Sequence, residues 1–364
     1  MESFFSSSFD VQYVYETKHI QSELMTKAIK PTKQAKANAS DVAKLAGVSK
    51  WTVSRAFTPG AYVSPETKEK VMAIAAEIGY RPNLLARSLT KRNTHIIGIA
   101  IDELKNPHSM RVLDAATKEL QARGYLALVL NITAGENHQS IIQMADQLQV
   151  DGILFIANIL SNELFDIAHN LHSVPLIQIC RNSEDHRNIE IVNVDGYQAG
   201  REIGQLLHEQ GYKRFGYMKG PDTESRHLLR MDGYQYELEQ HGHQLDLRLV
   251  AGRYERKLAY DIMKQYLQST PAANRVEAMF CENDILAIGA LEALYEMQLF
   301  HSMAIVGFDG IDEADSPVWQ LTTYNQNTEK LITEAINRLT EGKVNNEGEW
   351  RHGELVIRRS HLKH

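Results

Sequence analysis

The side chains best suited to chemistry on a partner lie within seven residues, "SKWTVSR" (49–55). If Val53 and Ala56 mark the inner side of a helix, Lys50, Trp51, Ser54 and Arg55 face outward. Lysine and arginine donate to guanine O6 and N7, and a duplex major groove admits one helix of this width. Thr52 and the N–H groups at the helix start suit phosphate, and Ser49 is placed to cap the helix. The expectation is a face that reads double-stranded DNA, built from Ser49, Lys50, Trp51, Thr52, Ser54 and Arg55.

So short a helix needs a frame, and residues 38–80 supply one. A first helix opens near Asn38 to Ser40 and stops at Gly47, where a turn needs positive φ. A third opens at Ser64-Pro65-Glu66, with a capping hydroxyl, a proline at the first helical position and an acid near the positive dipole end. Val42, Leu45, Val48, Val53, Val71, Ile74 and Ile78 are expected to form one small core, while Ala43 and Ala46 let the helices cross closely. This is a helix-turn-helix head over 38–81. It is basic: residues 36–92 hold 10 Lys and Arg against 4 Asp and Glu, a net +6, whereas residues 93–364 hold 25 against 38, a net −13. A small cationic head on an acidic body points to a polyanion bound by the head alone.

Residues 1–37 are Ser-rich and then Lys/Ala/Gln-rich, and read as a flexible extension or an over-called start. Between head and body, "NLLARSLT" in segment 82–94 has too few residues for a stable isolated helix, and its leucines need a cover. From residue 95 strand-like runs ("HIIGIAI", "YLALVLNI", "GILFIA", "PLIQIC", "IEIVNVD") alternate with helical stretches near 109–123, 137–149 and 161–171. The alternation repeats after Asp195, with helices near 196–210, 223–241, 257–268 and 284–297. Roughly ten buried strands in two passes predict two Rossmann-like α/β lobes, about 95–195 and 196–322 with exchanges near the C-terminus. In such sheets a ligand sits beyond the carboxyl ends of the strands, here in the interlobe cleft.

Composition is ordinary for a soluble globular chain: 364 residues, 43% hydrophobic, 23% charged, net charge −7. No apolar run has membrane-spanning length and no signal peptide precedes the fold, so the expected location is the cytoplasm. Cys180 and Cys281 have no disulfide or metal spacing and read as buried thiols. No glycine-rich phosphate loop, nucleophile elbow or HExxH-type motif occurs, so no enzyme, cofactor or metal is expected.

Seven motifs in order, "DVAKLAGVSKWTVSRAF", "VSPETKEKV", "GYRPNLLARSL", "RMDGY", "ENDILAIGAL", "IVGFDG" and "LTTYNQ", make the chain resemble the lac/galactose/purine repressor family over about 38–360. The resemblance implies a homodimeric or tetrameric transcriptional regulator with a helix-turn-helix head, a hinge helix and a two-lobed core like periplasmic sugar-binding proteins. It implies that Lys50, Trp51 and Arg55 read bases, and that Leu89 wedges into the minor groove of a near-palindromic operator. Trp51 departs from the small or polar residue usual there, and indole, with one donor, makes no bidentate base contact. Thr58 replaces a usual asparagine. The C-terminal "GELVIRRSHLKH" has no leucine heptad, which favours a dimer over a tetramer.

The resemblance also places Arg230, Asn283, Asp309 and Gln326 at positions that hold a small-molecule effector. Arg181 follows Cys180, where the family commonly has an aspartate. Arg226, one helical turn before Arg230, and His108 and Ser109 in "KNPHS" complete the expected set. With an acid missing at position 180 and several cations kept, the expected effector is an anionic sugar derivative. The plain alternatives are a helix cap for Asp309, surface charge for Arg226 and Arg230, and an ordinary surface histidine at 108. A solute-binding protein without a DNA role, or an enzyme on an α/β scaffold, is the rival for the whole.

Overall fold

The computed structural model describes residues 37–58, 60–82, 93–132, 138–157, 174–181, 189–221 and 228–363. The chain divides into two compact units, Met1–Lys91 and Arg92–His364. Leu89, Arg226, the helix expected at 161–171 and most of the 82–94 segment lie outside the described residues.

The small unit is three helices, α1 (Ala39–Ala46), α2 (Lys50–Ala56) and α3 (Pro65–Glu77). Each begins on a side-chain cap. Asn38 Oδ1 accepts from Ser40 N and Asp41 N while Asp41 returns a bond to Asn38 N, Ser49 Oγ accepts from Thr52 N at 3.1 Å, and Ser64 Oγ accepts from Thr67 N at 3.3 Å. Gly47 ends α1 at φ 68°, so the chain turns sharply into α2. The core is Val42, Ala43, Ala46, Val53, Ala56, Val71 and Ala75, with Val48, Ile74 and Ile78 half-buried at its margin. Leu45, expected in this core, is instead 60% exposed. The alanines at 43 and 46 bring the neighbouring helices so close that the inner stripe runs Val42–Ala43–Ala46 and turns Leu45 to the rim.

The large unit holds two sheets. The first has the order β2-β1-β3-β4-β5, from β1 (Ile96–Ile101), β2 (Leu126–Asn131), β3 (Gly152–Ile156), β4 (Leu176–Ile179) and β5 (Glu190–Val192), all parallel. The second repeats that order with β6 (Phe215–Lys219), β7 (Leu245–Val250), β8 (Ala278–Cys281), β9 (Ala304–Asp309) and β10 (Thr322–Asn325). An eleventh strand, β11 (Glu354–Val356), joins antiparallel at the edge beside β10. Strands β1, β3, β6, β8 and β9 are buried almost throughout, as parallel strands covered on both faces must be. The covering helices are α4 (Pro107–Ala122) and α5 (His138–Gln147) in the first lobe, and α6 (Gly196–Glu209), α7 (Leu229–Gln240), α8 (Arg256–Ser269) and α9 (Asp284–Glu296) in the second. No described helix is long and apolar enough to cross a membrane.

The lobes exchange chain three times: after β5, after β10 and after the last helix, α10 (Thr328–Glu341), which packs on α4 and on β3 and β4 of the first lobe. Asp195 N donates to Arg351 O at 2.9 Å and Asn327 Nδ2 to His352 O at 2.9 Å, tying these crossings together.

Candidate functional site

Two places in the molecule gather functional side chains. On the small unit, α2 keeps Val53 and Ala56 inside and leaves Lys50, Trp51 and Ser54 exposed, Trp51 by 68%. Thr52 is partly occupied by its own helix start, where its Oγ1 lies 3.0 Å from Ser49 Oγ. Arg55 is held on two sides: its guanidinium carbon lies 4.5 Å from the Trp51 ring centroid, and its Nε donates to Tyr62 O at 3.1 Å. Tyr62, not singled out from sequence, is 82% exposed on this unit. The arrangement is a rigid, cationic and aromatic surface with polar donors free to reach a partner.

The second place is a cavity where the carboxyl ends of both sheets meet. In each sheet the order reverses between the first and third strands of its lobe, and the loops there splay apart. The first lobe contributes Asp102, Glu103, Asn106, His108 and Ser109 after β1, Ile156 and Ala157 at the end of β3, and Cys180 after β4. The second contributes Pro221, Arg230, Tyr254, Asn283 and Asp309. The enclosed volume is about 40 Å³, room for a few waters and far below that of a pocket holding a drug-sized ligand.

Five of the expected residues, His108, Ser109, Arg230, Asn283 and Asp309, line this cavity. Gln326 lies directly behind it: its Nε2 donates to Asp309 Oδ1 at 2.6 Å and lies 3.3 Å from His108 Nε2. Arg181 is buried nearby, its backbone paired with the Asn193 side chain, but is not part of the lining. Asp309 caps no helix: the 3-10 turn that follows (Asp312–Asp315) has no side-chain cap. Neither is His108 a surface residue, being 4% exposed.

His108 Nε2 and Asp309 Oδ1 are 3.9 Å apart, within ion-pair range. Burial nevertheless holds the imidazole pKa below its ordinary value, so we read the pair as a neutral ring beside a carboxylate. With one Gln326 N–H given to Asp309, we place its other N–H on His108 Nε2, which also lies 3.6 Å from Cys180 Sγ, and so assign that ring nitrogen as the acceptor. The ring proton is then on Nδ1, and His108 Nδ1 has no hydrogen-bond partner among the described residues. The same holds for Asn283 Nδ2, whose Oδ1 caps α9 through Leu286 N at 3.0 Å. Each lobe thus presents one buried, unmatched donor at the cavity, a costly arrangement unless a ligand or water accepts.

Acceptors are plentiful. Burial raises the Asp102 pKa and, with the Asp102 charge beside it, pushes Glu103 up to about 7. Glu103 (φ 52°), Cys180 (φ 65°) and Asp309 (φ 118°) all hold left-handed backbone conformations that cost non-glycine residues energy, and all three line the cavity. Arg230 points into the second lobe, with its Nη1 donating to Glu282 O at 2.7 Å and its guanidinium 3.7 Å from the Phe308 ring centroid.

Among the described residues this lining is richer in acid than the expectation of an anionic ligand implied. Three carboxyl groups among the described residues, Asp102, Glu103 and Asp309, share the wall with the Arg230 guanidinium, and burial keeps the Cys180 thiol protonated, its pKa pushed up to about 12. The expected set does not include Asp102 and Glu103, although both end the first strand run, where a cleft residue is placed.

Comparison with known proteins fits both places. Residues 94–343 match the family described as periplasmic binding proteins and the sugar binding domain of the LacI family, and residues 39–83 match the bacterial regulatory proteins of the lacI family. The HTH-type transcriptional repressor PurR of Pasteurella multocida (strain Pm70) is 28% identical over 333 residues, covering 89% of this chain and 98% of that protein. The ribose operon repressor of Escherichia coli (strain K12) is 30% identical over 313 residues, covering 84% and 94%. These relatives are transcriptional repressors, not enzymes. In fold, the chain matches the crystal structure of the lac repressor dimer bound to operator and the anti-inducer ONPF with a TM-score of 0.79 at 23% identity, over 90% of this chain and 99% of that one. A reading helix built on a capped three-helix frame, followed by two lobes that close on a polar cavity, makes this chain a member of the LacI family of bacterial transcriptional regulators.

Proposed function

We propose that the chain represses transcription as a homodimer on a near-palindromic operator in the cytoplasm, and that a neutral, hydroxyl-rich molecule held between the lobes sets its affinity for that operator. The observation that carries the reading is α2 itself: a seven-residue helix fixed by its cap and by Val53 and Ala56, with Lys50, Trp51 and Ser54 left outside. Lys50, Trp51 and Arg55 are assigned to base edges, Ser49, Thr52 and Ser54 to the helix start and sugar-phosphate backbone. The cavity supports the ligand class. Hydroxyl groups both donate and accept, so one polyol meets the unmatched His108 Nδ1 and Asn283 Nδ2 as well as the carboxyl groups of Asp309 and Asp102. Among the described lining residues a phosphate or carboxylate would face three carboxyl groups beside the single guanidinium of Arg230.

The ligand acts by unequal affinity for two conformations of the large unit, a coupling of typically about 1–3 kcal/mol. Full-length protein is expected to shift duplex fragments of its own genome, with affinity falling steeply as salt rises. A thermal-shift screen of neutral sugars, sugar acids and sugar phosphates is expected to stabilise the protein with neutral sugars. Stabilisation by sugar phosphates alone would overturn the ligand class, and indifference to every duplex at low salt would overturn the DNA reading.

A further inference from the structure

The geometry points to Trp51 and Arg55 acting as one reading unit that recognises two adjacent base pairs, a guanine through Arg55 and a neighbouring thymine methyl through Trp51. The inference rests on the DNA-binding reading above and names what that surface prefers. Trp51 and Arg55 are four residues apart on α2 and share one side of it. The guanidinium carbon stands 4.5 Å from the indole centroid, so the flat cation lies against the ring instead of sampling solvent. Its Nε donates to Tyr62 O at 3.1 Å, which fixes the remaining rotation. With Nε engaged, the two terminal nitrogens are the edge left for a partner, and they form a parallel pair of donors. Guanine O6 and N7 match such a pair in the major groove.

The indole has a different task. It is 68% exposed even with Arg55 packed on it, and it has a single N–H donor, so it cannot specify a base by paired hydrogen bonds. It offers a broad apolar surface directly beside the guanidinium. The apolar group that a base edge presents in the major groove is the thymine C5 methyl, and packing on that methyl is how such a side chain distinguishes a base pair. Because the ring that touches the methyl also positions the guanidinium, the two preferences are linked. Trp51 is thus a contact residue for one base pair and a positioning residue for the next.

The test uses full-length protein and a pool of duplexes with a randomised centre, from which bound sequences are selected. The unaltered protein is expected to enrich a guanine flanked by a thymine in each half-site. Replacing that thymine by uracil, which lacks the methyl, should weaken binding about three- to fivefold, the worth of one buried methyl group. Trp51→Ala should be indifferent to the uracil exchange and should also lose about five- to tenfold of its preference for guanine at the neighbouring position. Trp51→Phe keeps an aromatic face and should fall between the two. Because Trp51 contributes nothing to the core of the small unit, the melting temperature should not change, which separates the effect from misfolding. The inference fails if Trp51→Ala selects guanine as sharply as the unaltered protein, or if the unaltered protein does not distinguish thymine from uracil. Should the unaltered protein enrich nothing from the pool, the DNA reading fails and takes this inference with it.

Discussion

Asp284 shows what a single buried carboxyl does to the whole. It opens α9 behind the cavity, fully buried, accepting from Thr323 Oγ1 at 2.5 Å and Ile311 N at 2.9 Å. Burial, reinforced by the Asp309 charge, raises its pKa to about 8. Unfolded, the same group gives up its proton near 3.8. Between about pH 4 and pH 8 the folded state therefore holds a proton that the unfolded state has released, and stability falls as pH rises through that window. Asp284→Asn mimics the protonated acid and is expected to remove the fall. Urea denaturation should find the variant close to the unaltered protein near pH 4 and more stable at pH 8, by an amount on the order of a few kcal/mol. An unaltered protein that gains stability relative to the variant over that range would contradict the assignment. Residues at this scale were only partly legible in the sequence. Asn283 and Asp309 stand out because each ends an apolar run; Asp102 and Glu103 do so equally, but the polar residues of the next turn compete with them for the same role. Sequence identifies the loop at a strand end; which of its side chains turn inward depends on backbone conformations such as the positive φ of Glu103.

Between helices, α6 and α7 of the second lobe meet at residues with no side chain. A Cβ on Gly233 of α7 would collide with the carbonyl oxygen of Tyr197 on α6, and one on Gly200 of α6 with the carbonyl oxygen of Arg230 on α7. These obstacles are backbone, so no rotamer change relieves them. The same glycines that permit the approach set where α7 lies, and α7 carries Arg230 to the cavity wall. Gly233→Ala is expected to push the helices apart, lowering stability by about 1–3 kcal/mol, the usual cost of overpacking, and weakening ligand binding at the same time. Thermal melts and calorimetry on the variant test both, and a variant that melts with the unaltered protein would show the contact to be less tight than described. The elements themselves were largely legible. Ser49, Ser64-Pro65 and Gly47 mark helix ends by their own chemistry, and those ends are where they were expected. Leu45 was misplaced because a spacing of three residues from Val42 fits a helical stripe, yet the packing partner decides which edge of the stripe is covered. The small residues at 43 and 46 shifted it.

For the molecule as a whole, the two passes of alternating strand and helix were visible because buried parallel strands leave unbroken apolar runs, and the identical strand order of the two lobes is their consequence. The return of α10 to the first lobe leaves a weaker trace, since an amphipathic helix packs equally well on either sheet; the sequence supports only an exchange somewhere near the C-terminus. A ligand that changes operator affinity by some factor obliges the operator to change ligand affinity by that same factor, because both describe one coupling free energy. Titrating the stabilising sugar into full-length protein, with and without a saturating operator duplex, should return the same ratio as titrating the duplex with and without sugar. Ratios in the range of about 5–150 are expected, and their equality is the sharper demand. If the sugar binds the lobes tightly yet neither ratio departs from one, then the cavity and the reading helix share a chain without sharing a conformational equilibrium, and the regulator would have to answer to a different signal.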